Sequence, residues 1–391
     1  MKQNIDNRSW CKIILPDRVV GGVKGGDKMQ ETKKIINKIK DAQWRDEPYR
    51  RQNWGNWLHR MGAYVGRIKP SMAYWLVKEC SHKGEIVLDP FCGVGTIPLE
   101  ADFLGRIGIG IDLNPYAYSI SRAKFDRQNI ESHMEWIDSL NIDTSKINLS
   151  KYPHSVRKFY EDETLKEIIF IKEKILKDKK YFLLGCLLGI IHGHRPGHLS
   201  AITSLVIPYD PRTEPEYKEV IPRLKQKVKR MYQDGFDIKT NSKAIFGDAR
   251  EIPLEDGSVD MIISSPPYFN TLDYVSDNRL RLEFLGYDVD KKNILKKELI
   301  QDRPNYLNEM LKVGEELKRV LKRGGLCVFI LGDLHIGKNV TNTALEISKI
   351  YEEIGFKIHE IIEDKMPINK CIPSIYKRLK LDRILIMRNG K

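Results

Sequence analysis

A chain of 391 residues is long enough for one large α/β domain with an insertion, or for two modest domains. Hydrophobic residues at 41% and charged residues at 30% exclude a disordered tail and a membrane protein. The formal charge of +13 favours a polyanionic partner such as nucleic acid, although many basic proteins bind none. The six cysteines form no Cys-x-x-Cys pair, so neither disulfides nor a metal site is predicted. The N-terminus carries no secretory signal, which predicts a cytoplasmic protein.

The first half of the chain begins with a polar, basic stretch and continues with one βαβ unit. Residues 1–50 are predicted to form a basic N-terminal arm. Apolar residues at helical spacing predict a helix over 70–80. A strand over 85–89, a glycine-rich turn with a helix over 97–104, and a strand over 107–111 follow. This order is typical of a parallel sheet covered by helices.

The α/β pattern stops near residue 126 and returns near residue 243. Long charged helices and one Gly/Pro/His-rich loop fill 126–242, which we interpret as a mainly helical insertion and a candidate target-recognition region. The sequence after it predicts a helix over 306–321 and strands over 243–246, 259–263, 326–331 and 383–387. A single α/β domain would therefore consist of residues 51–125 and 243–391.

The glycine-rich turn after the first strand has the residue types of a cofactor loop. Its sequence, Asp-Pro-Phe-Cys-Gly-Val-Gly-Thr over 89–96, stands where a strand turns into a helix. Glycines there let backbone N–H groups approach a ligand closely. Asp112 ends the next strand about 20 residues on, a position from which a carboxylate reaches ribose hydroxyls. The alternative is an ordinary tight turn followed by an acid that caps a helix.

This loop resembles motif I of the class I methyltransferases that methylate amino groups of DNA and RNA. The resemblance implies a Rossmann-like α/β sheet with helices on both faces and S-adenosyl-L-methionine as cofactor. NAD is disfavoured because Pro98 interrupts a Gly-x-Gly-x-x-Gly pattern. By the same resemblance Asp248 would contact adenine, and the segment 64–70 would pack over the cofactor. The implied cofactor-binding residues are Asp89, Pro90, Phe91, Cys92, Gly93, Gly95, Thr96, Asp112, Leu113, Asn114, Asp248 and Ala249.

A buried strand runs into Ser265-Pro266-Pro267-Tyr268, which we interpret as the catalytic segment. Two prolines lock the backbone, so that the Ser265 hydroxyl and the carbonyl of Ser265 or Pro266 become fixed acceptors. Such acceptors could hold both hydrogens of an exocyclic amine, whose methylation needs positioning more than covalent help. Tyr268 would stack on a base that has left the DNA helix. In isolation, the alternative is a strand-terminating turn with a packed tyrosine.

Ser-Pro-Pro-Tyr resembles motif IV of the cytosine-N4 DNA methyltransferases. Adenine-N6 enzymes more often carry Asp or Asn in the first position, and remain an alternative. A tRNA guanine-N2 methyltransferase is a second alternative, because residues 93–101 also resemble that family. A non-catalytic DNA-binding module is the third. The expected partners are double-stranded DNA and, in a restriction-modification system, a separately encoded endonuclease.

Contacts to DNA are predicted in the insertion, where a basic loop over 192–200 precedes a basic helix. A solvated charged face is the default alternative for such a helix. The insertion precedes Asp248, whereas target-recognition regions of the family follow the corresponding segment. The candidate DNA-binding residues are His194, Arg195, His198, Lys225 and Lys229.

Overall fold

The structure is a computed structural model that describes residues 27–51, 54–203, 210–267, 272–301, 305–336, 339–365 and 381–390. Its helices are α1 (Asp27–Lys40), α2 (Pro70–Cys80), α3 (Thr96–Phe103), α4 (Pro115–Ala123), α5 (Ile130–Asp138), α6 (His154–Arg157), α7 (Asp162–Lys177), α8 (Tyr181–Leu188), α9 (Val220–Met231), α10 (Tyr274–Asp277), α11 (Arg279–Phe284), α12 (Val289–Glu298), α13 (Tyr306–Val320) and α14 (Thr343–Glu353), with 3-10 turns at Trp57–Arg60 and Leu149–Lys151. Its strands are β1 (Ile86–Asp89), β2 (Ile107–Asp112), β3 (Lys243–Phe246), β4 (Val259–Ser264), β5 (Leu321–Gly332), β6 (Leu334–Ile336), β7 (Asn339–Thr341), β8 (Phe356–Lys365) and β9 (Leu381–Asn389).

Seven strands form one sheet in the order β3-β2-β1-β4-β5-β9-β8. The pairs β2–β3, β1–β2, β1–β4 and β4–β5 are parallel, and β9 is antiparallel to both of its neighbours. The order reverses between β1 and β4, which is where open α/β sheets bind ligands. This topology confirms the predicted Rossmann-like sheet. Strands β5 and β9 are longer than the strands predicted over 326–331 and 383–387. They pair with each other over seven residues of each strand, 326–332 and 382–388.

Helices cover both faces of the sheet because successive strand residues point to opposite sides. Val87 and Ile263 face a cluster that contains residues of α1 and α2. Leu88 and Ile262 face a second cluster, to which α13 and α14 contribute. The sheet is therefore buried on both sides, as its continuous apolar strands indicate.

Residues 126–242 contain five helices, α5 to α9, within the described residues. Their apolar faces share one core cluster with Tyr116 and Ile120 of α4 and with Leu58. The insertion is therefore mainly helical and is anchored on the helix that follows β2. None of the helices in the described residues is long and apolar enough to cross a membrane.

The predicted N-terminal arm differs from the structure over residues 27–50. Ile35, Ile36 and Ile39 of α1 are buried, together with Trp44, against α2 and the sheet. Arg388 of β9 donates hydrogen bonds to Thr32 and Glu31. The residues over 29–43 have a helical pattern in the sequence, and the apolar side of α1 packs this part of the stretch onto the α/β unit. Residues 1–26 lie outside the described residues.

Gly95 offers a test of the turn that joins β1 to α3. Its φ is +73°, and a Cβ there would lie 2.3 Å from the buried hydroxyl of Ser121. We expect Gly95→Ala to lower the free energy of unfolding by about 2–5 kcal/mol, from backbone strain and steric overlap. Gly235, at φ +67° with no atom within 4 Å of its Cβ position, is the matched control and should cost about 1–2 kcal/mol. Urea denaturation measures both, and equal losses would contradict the packing argument.

Candidate active site

A pocket lies where β1, β2, β3 and β4 all end, and its empty space, open solvent included, is about 800 Å³. The parallel strands bring four separate chain segments to this edge of the sheet. Its lining residues are Tyr64, Gly66, Arg67, Ile68, Asp89, Pro90, Phe91, Cys92, Gly93, Val94, Thr96, Ile97, Asp112, Leu113, Gly247, Asp248, Ala249, Ser265, Pro267, Tyr274, Glu298, Leu299 and Ile300. The glycine-rich turn and the Ser-Pro-Pro segment therefore share one cavity.

Asp112 organises the glycine-rich turn from the end of β2. One carboxylate oxygen accepts the Gly93 backbone N–H at 2.7 Å, and the other accepts the Asn114 N–H at 2.8 Å. Gly93 has a φ of +52°, the left-handed region that favours glycine. Burial raises the pKa of Asp112 to about 6, although these two hydrogen bonds favour the carboxylate. Asp112 therefore presents a desolvated acceptor to the pocket.

Asp89, at the end of β1, is hydrogen-bonded both to the cofactor loop and to the residue before the Ser-Pro-Pro segment. Its carboxylate accepts the Ser264 hydroxyl at 2.6 Å and the Phe91 N–H at 3.2 Å. Asp89 is 2% exposed, and burial raises its pKa to about 7. Ser264 is fully buried and immediately precedes Ser265. One short hydrogen bond thus connects two of the strand ends that form the pocket.

The Ser-Pro-Pro segment, which the sequence predicts to be catalytic, begins directly after β4. Ser265 and Pro267 are half-buried and line the pocket, whereas Pro266 is buried and does not line it. The Tyr306 hydroxyl donates a hydrogen bond of 3.1 Å to the Pro267 carbonyl. The segment is therefore held from α13 as well as from β4. Tyr268, which the sequence places next, lies outside the described residues.

Asp248 and Ala249 reach the pocket from the loop after β3. The Arg250 guanidinium binds both oxygens of the Asp248 carboxylate, with Nε at 2.9 Å from Oδ1 and Nη2 at 2.5 Å from Oδ2. The neighbouring wall consists of Glu298 and the residues that follow α12. The sequence predicted Asp248 at the pocket but gave no role to Arg250.

Several lining residues were not singled out individually from the sequence. Tyr64 and Tyr274 stack with ring centroids 5.7 Å apart and planes at 18°. Tyr64 belongs to the segment over 64–70 that the family resemblance had placed over the cofactor. Tyr274, Leu299 and Ile300 come from the region between β4 and α13, where only tertiary packing decides which side chains face the pocket.

Two predicted cofactor residues do not line the pocket. The Asn114 side chain caps α4 by accepting the Tyr116 and Ala117 N–H groups at 3.0 and 3.5 Å. Gly95 precedes the first residue of α3 and packs against Ser121. Both residues shape the elements beside the pocket instead of contacting its interior. The remaining predicted cofactor residues all line it.

The predicted DNA-binding residues lie in different environments, and none of them lines the pocket. His194 and Arg195 are exposed at the tip of a loop whose base is closed by hydrogen bonds, such as Leu199 N–H to the Ile190 carbonyl at 2.9 Å. Burial lowers the pKa of His198 to about 4, so this histidine is neutral at physiological pH and supplies no cation for a phosphate. Lys225 forms an ion pair with Asp138, and Lys229 is exposed on α9.

The pocket residues fit S-adenosyl-L-methionine. Phe91, Ala249 and Leu299 give the lining apolar surface of the kind that a purine ring requires, and Asp248 adds an acceptor to the same lining. Asp112 lines the pocket from the end of β2, the position from which a carboxylate can reach ribose hydroxyls. The turn at Gly93 exposes backbone close to the cavity, where the methionine end would lie. Cys92 is buried with its pKa raised well above the usual range, which makes it a small loop residue and not a nucleophile.

Comparison with known proteins identifies relatives of this chain. The Type II methyltransferase M.MjaI of Methanocaldococcus jannaschii is 33% identical over 175 residues, which cover 40% of this chain and 58% of that protein. The Type II methyltransferase M.AvaI of Nostoc sp. is 23% identical over 390 residues, covering 78% of this chain and 80% of that protein. A tRNA (guanine(10)-N2)-dimethyltransferase of Methanocaldococcus jannaschii is 27% identical over 135 residues, covering 31% and 38%.

The match to M.MjaI thus spans little more than half of that relative's length. A family model described as DNA methylase, of the N6/N4 amino-methylating type, matches residues 19–123 and 259–384. These two blocks contain the cofactor loop and the Ser-Pro-Pro segment, and the gap between them contains the helical insertion. The chain therefore belongs to the family of amino-methylating DNA methyltransferases, whose cofactor is S-adenosyl-L-methionine.

Proposed function

We propose that this protein methylates N4 of cytosine in a specific sequence of double-stranded DNA, with S-adenosyl-L-methionine as methyl donor. The observation that carries the proposal is the shared cavity, which Ser265, Pro267 and Gly93 all line. The family membership supports DNA as the substrate, and M.MjaI and M.AvaI are themselves Type II methyltransferases.

The chemistry follows from how the catalytic segment is held. S-adenosyl-L-methionine, when bound, supplies an electrophilic methyl group. The amine of cytosine is a weak nucleophile because its lone pair is delocalised into the ring. The Ser265 hydroxyl, together with the carbonyl of Ser265 or Pro266, accepts the two amine hydrogens and keeps the nitrogen oriented towards the pocket. Fixed acceptors of this kind contribute through orientation and electrostatics.

Access to the amine requires that the base leaves the duplex. Tyr268 is our candidate for stacking on the extruded base, on the strength of the Pro-Pro-Tyr sequence. The insertion supplies the DNA contacts, with Arg195 and His194 at an exposed loop tip and Lys229 on an exposed face of α9. In a restriction-modification system, the partner would be a separately encoded endonuclease whose cleavage the methylation blocks.

Nucleoside mass spectrometry tests the proposal directly. DNA and tRNA from cells that express the protein are digested and compared with those from cells that express Asp112→Ala. We expect N4-methylcytosine in DNA from the wild type alone. N6-methyladenine instead would identify the adenine enzyme, and a methylated guanosine only in tRNA would identify the RNA enzyme. Cofactor binding without any methylated nucleoside would identify a non-catalytic module.

A further inference from the structure

Arg250 joins two neighbouring chain segments that both line the pocket. Besides its two contacts to Asp248, its guanidinium donates to the Glu298 carbonyl at 2.8 Å and to the Glu309 carboxylate at 2.5 Å. Asp248 lines the pocket from the β3 side, whereas Glu298 and Leu299 line it from the end of α12. Every one of these partners lies within the described residues, and Arg250 itself does not line the pocket.

The arrangement is stronger than a simple surface ion pair. The side chains of Arg250, Asp248 and Glu309 are only 23%, 25% and 21% exposed. The planar guanidinium matches a carboxylate bidentately, a geometry that lysine cannot reproduce. One side chain thus restricts the carboxylate of Asp248 and the backbone at Glu298 together.

The hydrogen bonds also define what the Asp248 carboxylate can still accept. A carboxylate offers about four lone-pair sites. The Arg250 backbone N–H and its Nε both donate to Oδ1 at 2.9 Å, and Nη2 donates to Oδ2. About one site is left for a ligand. An ionised carboxylate accepts hydrogen bonds and donates none, so it binds a purine that carries an amino group and rejects one that carries a carbonyl in its place.

We propose that Arg250 is a positioning residue that sets the adenine selectivity of the cofactor pocket. It orients Asp248 as an acceptor and fixes the segment after α12 beside that carboxylate. This inference rests on the proposed function, because it assumes that the adenosine end of the cofactor lies between Asp248 and Leu299.

Calorimetry on the full chain tests it with two probes, S-adenosylhomocysteine and its deaminated analogue S-inosylhomocysteine. We expect the wild type to bind the adenine compound at least about tenfold more tightly, the scale of one hydrogen bond to a charged group. Arg250→Met should weaken binding of S-adenosylhomocysteine about tenfold or more and remove most of the preference. Arg250→Lys should show an affinity and a preference between those of the wild type and Arg250→Met. A lysine can contact Asp248 but cannot contact Glu298 at the same time.

Arg319 provides the matched control. It also binds two carboxylates, Glu316 and Asp256, and two carbonyls, Leu254 and Ile252, but it does not line the pocket. Arg319→Met should lower stability without changing either affinity. Amide hydrogen exchange of the ligand-free protein gives a second readout, since exchange at Leu299 and Ile300 should accelerate in Arg250→Met and not in Arg319→Met.

The outcomes distinguish a failure of the proposed function from a failure of the role of Arg250. If the wild type does not bind S-adenosylhomocysteine, the proposed function fails and this inference fails with it. If the wild type binds it and both Arg250 variants keep its affinity and preference, only the role of Arg250 is overturned. If Arg250→Met does not fold, Arg250→Lys provides the test. A reduced preference for S-adenosylhomocysteine in this variant would support the inference, whereas a wild-type preference together with wild-type amide exchange would contradict it.

Discussion

Replacement of Asp112 by alanine is expected to lower the affinity for S-adenosylhomocysteine at least about a hundredfold, the scale of two hydrogen bonds to a charged group. In the proposed complex one of these bonds runs to the ribose. The other is the contact of 2.7 Å with the Gly93 N–H, which holds the turn where the methionine end would bind. The variant therefore loses a ligand contact and the support of the loop that makes further contacts. Isothermal calorimetry measures the loss.

The reciprocal variant is Tyr268→Ala, in which methylation should fall while cofactor affinity stays nearly intact. The role of Tyr268 comes from the sequence motif alone, so the pair of variants tests one residue placed by the structure and one placed by the sequence. Asp112→Ala should be inactive because the cofactor is not bound. Equal loss of cofactor binding in both variants would contradict the assignment of roles.

The fold and much of the pocket could be predicted from sequence because their determinants are local. A β-prone run that ends on an acid and turns through Gly93 into a helix specifies a strand, a turn and a helix at once. Neighbouring parallel strands end at the same edge of the sheet, so the residues at their carboxyl ends lie close together. For this reason Asp89, Asp112 and Ser265 were predicted at one cavity, and all three line it.

The wall after α12 could not be predicted, because tertiary packing alone places its residues. Leu299 and Ile300 follow an unremarkable charged helix, and nothing in their sequence indicates a pocket. Asn114, in contrast, was predicted to bind the cofactor but does not line the pocket. An Asp-x-Asn sequence at a strand end suits both a ribose site and a helix N-cap, and the structure uses Asp112 in the pocket and Asn114 as the cap of α4. Sequence patterns therefore located the strand ends, but not which neighbouring side chain faces the ligand.

Ser264→Ala should lower the rate of methyl transfer by about tenfold to a hundredfold with little change in cofactor affinity. The Ser264 hydroxyl is the donor to Asp89 that links the ends of β4 and β1, and Ser264 directly precedes Ser265, the proposed acceptor for the amine. Without that bond, we expect the Ser-Pro-Pro segment to shift relative to the cofactor turn. Displacements of about 1 Å can cost a hundredfold in rate, because the reacting atoms leave alignment. Single-turnover kinetics separates this effect from cofactor KM.

The control for Ser264 is a second serine–aspartate pair, which lies next to the same sheet. Ser242 donates to Asp102 at 2.9 Å beside β3, and neither residue lines the pocket. Ser242→Ala should reduce stability by a comparable amount and leave the rate of methyl transfer unchanged. Ser264→Thr, which keeps a hydroxyl, should recover most of the rate. Parallel losses of stability and rate in the two alanine variants would show that Ser264 acts only through stability.

The pH profile adds a readout that a structural role for Ser264 would not produce. Burial raises the pKa of Asp89 to about 7, and the Ser264 hydrogen bond opposes this rise because it stabilises the carboxylate. Removal of the hydroxyl should therefore raise the pKa of Asp89 further. If methyl transfer depends on the ionised Asp89, the acid limb of the rate profile moves to higher pH in Ser264→Ala and stays in place in Ser242→Ala. An unshifted acid limb in Ser264→Ala would show that the hydrogen bond between Ser264 and Asp89 does not affect methyl transfer. Asp89 would then serve only to hold the turn at Phe91.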